Sequence, residues 1–151
     1  MISRLLFIIY MAVALYFLLM SERLGRAACH EYRYNLRLFS EIKRFYRLMN
    51  TRHRWKAVMN LWGNIICFMP YGFYLSVEWK KKRMRILKVT VLTLLFSLCV
   101  ELLQLYHRIG IFDVDDLVLN TVGGFLGAVL YELVKKSGFL QKYFFTEKKK
   151  D

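Results

Sequence analysis

The sequence predicts an all-α fold, a polytopic membrane bundle of four transmembrane helices with an interfacial amphipathic helix in the first loop. Three observations carry that expectation. Of 151 residues, 57% are hydrophobic and 17% aromatic, with a mean hydropathy of +0.30, more apolar than a soluble domain of this length usually is. The apolar residues gather into four stretches, 5–20, 60–77, 86–106 and 117–134, each near the about 20 residues that cross a bilayer. The basic residues behind a formal net charge of +13 fall between these stretches. There they suit anionic headgroups, so membrane lipids are the expected partner and nucleic acid is not.

Taken in order, residues 1–20 read as an N-terminal anchor helix, because Arg4 precedes an apolar core and no small-residue cleavage site follows it. Residues 21–59 form a basic loop. Within it Leu38, Ile42, Phe45 and Met49 recur at helical spacing, while Arg37, Glu41, Lys43, Arg44 and Arg47 take most other positions; this is the pattern of a helix lying on headgroups. Residues 60–134 form the core with three further spans. The first of these is the least hydrophobic, holding Asn60, Gly63, Asn64 and the only proline, Pro70, which is expected to kink the helix and free a carbonyl for a neighbour. Residues 135–151 are a basic tail carrying Lys148-Lys149-Lys150. With four spans, that tail, the N-terminus and the short loop Lys80-Lys81-Lys82-Arg83 share one face, expected to be cytoplasmic because lysine and arginine in short loops set orientation. The three cysteines, Cys29, Cys67 and Cys99, are widely spaced, and no disulfide, metal site or cofactor is expected.

The candidate functional residues lie on the last two spans and the turn between them. Glu101 sits about a turn and a half before the end of the third span, with Gln104 and Arg108 on the same helix face at i+3 and i+7. A carboxylate there is expensive and often marks function. Asp113, Asp115 and Asp116 place three carboxylates in four residues. These can hold a hard cation, repel one another, or pair with Arg108, and the spacing does not choose. Asp116 is also placed to cap the following helix. On that helix Asp116, Asn120, Gly123 and Gly127 share a face, the two glycines forming a small-xxx-small packing motif. Asn120, Glu101 and Asn64 reach similar depth, so a polar layer is expected on one side of the bilayer.

These residues resemble the VanZ-like membrane proteins, a family associated with teicoplanin resistance in bacteria. Three blocks carry the resemblance. The first joins Glu101 and Gln104 to Phe112, Asp113, Asp115, Asp116, Leu117, Asn120, Thr121, Gly123 and Gly124 in an FDxDDLxxNTxGG signature. The second is Asn64 with Phe68, Pro70 and Gly72. The third is Asn35-Leu36 with Phe39 and Ile42, where Leu38 stands in place of the family's usual proline. The resemblance implies a multi-pass protein of the bacterial plasma membrane and a link to envelope processes or glycopeptide susceptibility.

Three functions follow as expectations. In the first, the polar layer, namely Asn64, Glu101, Gln104, Arg108, Asp113, Asp115, Asp116 and Asn120, binds a lipid-linked cell-wall component or a glycopeptide, with Gly123, Gly124, Gly127 and Pro70 shaping the helix packing around it. In the second, a membrane-embedded enzyme acts on a lipid-linked headgroup, with Glu101 or an aspartate as general base and Arg108 holding phosphate. A proton-coupled transporter is a third, and four spans would then need a homo-oligomer to enclose a path.

Overall fold

The structure is a computed structural model describing residues 2–20, 32–49, 51–52, 54–79 and 84–137. The basic runs 80–83 and 148–150 lie outside these. The described residues form five helices: α1 (Ile2–Met20), α2 (Ser40–Leu48), α3 (Arg54–Glu78), α4 (Arg85–Tyr106) and α5 (Val114–Lys136). Two short strands, β1 (Tyr34–Asn35) and β2 (Phe112–Asp113), pair in parallel.

The fold is therefore all-helical, as the apolar runs predict. Two of its helices, α4 and α5, are long and apolar enough to cross a membrane. α1 is a shorter apolar helix, and in α3 Asn60, Gly63, Asn64 and Pro70 dilute the apolar run. α3 begins at Arg54, six residues before the expected start, and runs unbroken through Pro70 to Glu78.

Side-chain pairings fix how the helices run. α5 lies parallel to α3, with Gly123 against Ile65, Gly127 against Met69 and Tyr131 against Phe73. It lies antiparallel to α4, since Asn120 meets Ser97 and Glu132 meets Arg85. α1 is antiparallel to α3: Tyr10 donates to the Cys67 carbonyl, Phe7 stacks on Tyr74 at 3.7 Å between ring centres, and Arg4 approaches Glu78. These pairings gather the start of α1 with the ends of α3 and α5 and the start of α4 on one side, which gives the bundle two distinct ends.

Glycines set the central contact. A Cβ on Gly123 would stand 2.3 Å from the Ile65 carbonyl oxygen, one on Gly127 2.1 Å from that of Met69, and one on Gly72 2.0 Å from that of Gly124. Only bare backbone allows α3 and α5 to come this close, the arrangement that small-xxx-small spacing produces. On its other side Gly124 faces Thr93 of α4.

The distribution of side chains reverses that of a soluble helix. α4 buries Arg85, Val89, Thr93, Ser97, Val100, Glu101 and Gln104, while Leu87, Val91, Leu95, Leu102 and Leu103 point outward. α5 likewise exposes Val118, Phe125 and Leu133, and α1 exposes Leu5, Ile8 and Phe17.

Candidate functional site

The polar end of the bundle is built where α5 starts. Asp113 has extended backbone angles and is the N-cap of α5: its side chain accepts from the Asp115 backbone N–H at 2.9 Å, satisfying one of the donors a helix start leaves open. This corrects the expectation that Asp116 caps the helix. Because the cap lies three residues earlier, Asp115 and Asp116 both sit in the first turn, where the helix dipole favours negative charge.

Each carboxylate has its own partners. The second Asp113 oxygen accepts from Asn35 Nδ2 at 3.0 Å. Asp115 accepts from the Phe39 backbone N–H at 2.6 Å and from the Ser40 hydroxyl at 3.1 Å. Asp116 accepts from Asn64 Nδ2 at 2.6 Å. Glu101, buried on α4, accepts from the Asp113 backbone N–H at 3.1 Å. The Asn35 amide also donates to Ser40 at 2.6 Å. The carboxylates are thus turned to separate donors, and among the described residues no group of three His, Cys, Asp or Glu is arranged to hold a metal ion.

These bonds tie three segments together. β1 lies beside β2, with Asn35 opposite Asp113, and the Phe112 N–H donates to the Arg33 carbonyl. α2 then starts against Asp115, after Phe39 takes a left-handed backbone conformation at φ 63°. The expected amphipathic helix is present as Ser40–Leu48, so Leu38 lies before it and Met49 closes it. The acidic signature therefore seats β1 and α2 on the end of the bundle.

Deeper in, Asn120 is 1% exposed and donates through Nδ2 to Ser97 at 2.8 Å. Its Oδ1 is buried and has no hydrogen-bond partner among the described residues. An unmet buried acceptor costs about 1–3 kcal/mol.

Two expected members of the layer stand apart from it. Gln104 donates to the Leu18 carbonyl at 2.8 Å and so ties α4 to α1. Arg108 is exposed, with its guanidinium 4.7 Å from the centre of the Tyr32 ring, so the expected pairing with Glu101 or an aspartate gives way to a cation–π contact. The reason lies in the backbone. Arg108 occupies the left-handed region at φ 54° and the Ile109 N–H returns to the Gln104 carbonyl, a helix ending usually given to glycine. The turn carries its side chain off the face shared by Glu101 and Gln104. Gly123, Gly124 and Gly127 lie in the helix seam described above, and Pro70 is exposed on α3.

Sequence reasoning did not place Ser40, Ser97 or the pairing of Asn35 with Asp113 in this site. One signal was present: Thr93, Ser97 and Glu101 follow one another at i+4 on α4, a small-polar stripe that would have pointed to Asn120. It also missed a second polar cluster at the opposite end, where Arg85 pairs with Glu132.

The VanZ/LLP1 family profile matches residues 7–135, which include all five helices except the first five residues of α1 and the last residue of α5. Protein VanZ of Enterococcus faecium is 41% identical over 73 residues, 48% of this chain and 44% of that relative. The match thus spans less than half the relative's length. No solved structure matches. The matched region holds both the glycine seam and the acidic signature with its partners, and the chain belongs to the VanZ/LLP1 family.

Proposed function

We propose that this chain is a multi-pass membrane protein of the bacterial envelope, with α1, α3, α4 and α5 as four spans and α2 lying in the interface. Its polar end engages a lipid-linked cell-wall component or a glycopeptide such as teicoplanin and lowers susceptibility to the drug. The observation that carries the reading is the burial of Glu101, Asp113, Asp115 and Asn120 at one end of a bundle whose outward faces are apolar. Such a distribution suits helices surrounded by hydrocarbon and a polar site shielded within them.

The termini face the cytoplasm, which puts the polar end at the outer surface, where a cell-wall precursor is met. Binding is favoured over catalysis because the carboxylates are fixed by backbone N–H groups and amides, an arrangement suited to a rigid surface more than to proton transfer. Asn120 Oδ1 supplies a buried acceptor for a ligand's hydroxyl or amide.

The test compares a teicoplanin-sensitive host expressing the wild-type chain, Glu101→Gln or Asp116→Asn. The wild type protects, both variants protect less while remaining in the membrane, and the purified protein shows saturable association with lipid-linked precursor or drug without turnover. Release of a product from labelled precursor would replace the binding reading by an enzymatic one. Labelling of a cysteine placed at His107 from the cytoplasmic side alone would reverse the orientation.

A further inference from the structure

The opposite end of the bundle carries a second polar site. Arg85, the first residue of α4, is 2% exposed. Its Nε donates to the Trp79 carbonyl at 3.1 Å, its Nη1 to Glu132 of α5, and its guanidinium lies 5.0 Å from the centre of the Tyr131 ring. Nη2 has no acceptor among the described residues. A cavity of about 220 Å³ opens beside it, lined by Met84, Arg85, Ile86, Leu87 and Glu132.

The charge around this cavity is one-sided. Arg4, Arg85, Lys88, Lys135 and Lys136 gather at this end against Glu78 and Glu132. Lys88 lies over the Trp79 ring and Lys135 over the Tyr131 ring, so aromatic rings hold the basic groups, a pairing that suits the headgroup level of a bilayer. A guanidinium fork matches two oxygens of a phosphate, and the bond is strengthened in a half-buried site. The apolar part of the lining, Met84, Ile86 and Leu87, suits the first carbons of an acyl chain.

We propose that this cavity binds the phosphate headgroup of an anionic membrane lipid, with Arg85 as its anchor and Glu132 as an internal counter-anion that the phosphate displaces. Glu132 is 30% exposed, so its carboxylate can swing to water as the lipid enters. Unlike diffuse attraction to a charged surface, this site depends on one buried guanidinium. The proposal rests on the membrane reading above.

The full chain in nanodiscs of phosphatidylcholine, with and without phosphatidylglycerol, tests it through Tm and the number of lipids retained in native mass spectrometry. Phosphatidylglycerol raises the Tm of the wild type. Arg85→Lys, which keeps the charge and loses the fork, weakens retention by about tenfold, the loss of one charge-assisted hydrogen bond. Glu132→Gln retains phosphatidylglycerol at least as well as the wild type, because the competing anion is gone. Lys88→Gln and Lys135→Gln each weaken retention less than Arg85→Lys does. Four results would each overturn the site: no preference in the wild type, an equal loss in Lys88→Gln, a loss in Glu132→Gln matching that of Arg85→Lys, or equal stabilisation by inorganic phosphate alone. A chain that is not recovered in the membrane fraction overturns the membrane reading instead.

Discussion

Where α5 begins, Glu101, Asp113, Asp115 and Asp116 are held by amides, a hydroxyl and backbone N–H groups. Where it finishes, Arg85, Lys88 and Lys135 rest on a carboxylate and on aromatic faces. The first arrangement has short, directional bonds to neighbours far apart in sequence, and it fixes a loop and a helix in place. The second uses long side chains over rings, contacts that tolerate movement and that an anion can enter. The same helices thus present a rigid end and an adaptable one, and the glycine seam between them holds α3 against α5.

That comparison is broken most severely at the seam. Gly127→Leu drives a side chain into the Met69 carbonyl, already 2.1 Å from a Cβ, and is expected to cost about 4 kcal/mol or more. Both ends should fail together, seen as a concerted change at Trp55 and Trp79 in single-tryptophan variants. Asp115→Ala acts on the rigid end alone. It strands the Phe39 N–H and the Ser40 hydroxyl, a loss of about 3 kcal/mol for two bonds to a charged acceptor, and should free α2 and alter Trp55 fluorescence while leaving Trp79 unchanged. Glu132→Ala does the reverse. Removing one partner of a buried ion pair costs about 2 kcal/mol here, below the usual range because Glu132 is partly exposed, and the change should appear at Trp79. Smallest is Glu78→Gln, which removes the 3.6 Å contact with exposed Arg4. About 0.5 kcal/mol or less is expected, vanishing at high salt.

The two ends also differed in how much of them the sequence disclosed. Apolar runs announced α1, α4 and α5, and the acidic signature with Asn120 marked the rigid end, because its residues lie close together on adjoining turns. Asp113 was missed as the cap since the apolar run starts only at Leu117, whereas capping depends on the backbone angles of one residue. β1 and β2 are two residues each, too short for any periodicity to show. Arg108 went astray because helical spacing projects a side chain only as far as the helix continues, and α4 ends at Tyr106. The adaptable end was hidden for a different reason. Arg85 and Glu132 are 47 positions apart, and each reads alone as an ordinary charge beside a basic segment.

Whether the rigid end is a working site or only a clasp is tested most directly at Asn120. Replacing it together with its partner, as Asn120→Leu with Ser97→Ala, removes the hydrogen bond and the unmet Oδ1 at once, so stability should stay within about 1 kcal/mol of the wild type. Teicoplanin susceptibility of a sensitive host expressing this variant is then the decisive measurement. Lost protection by a fully folded, membrane-inserted variant is the result this account predicts; protection equal to that of the wild type would contradict it.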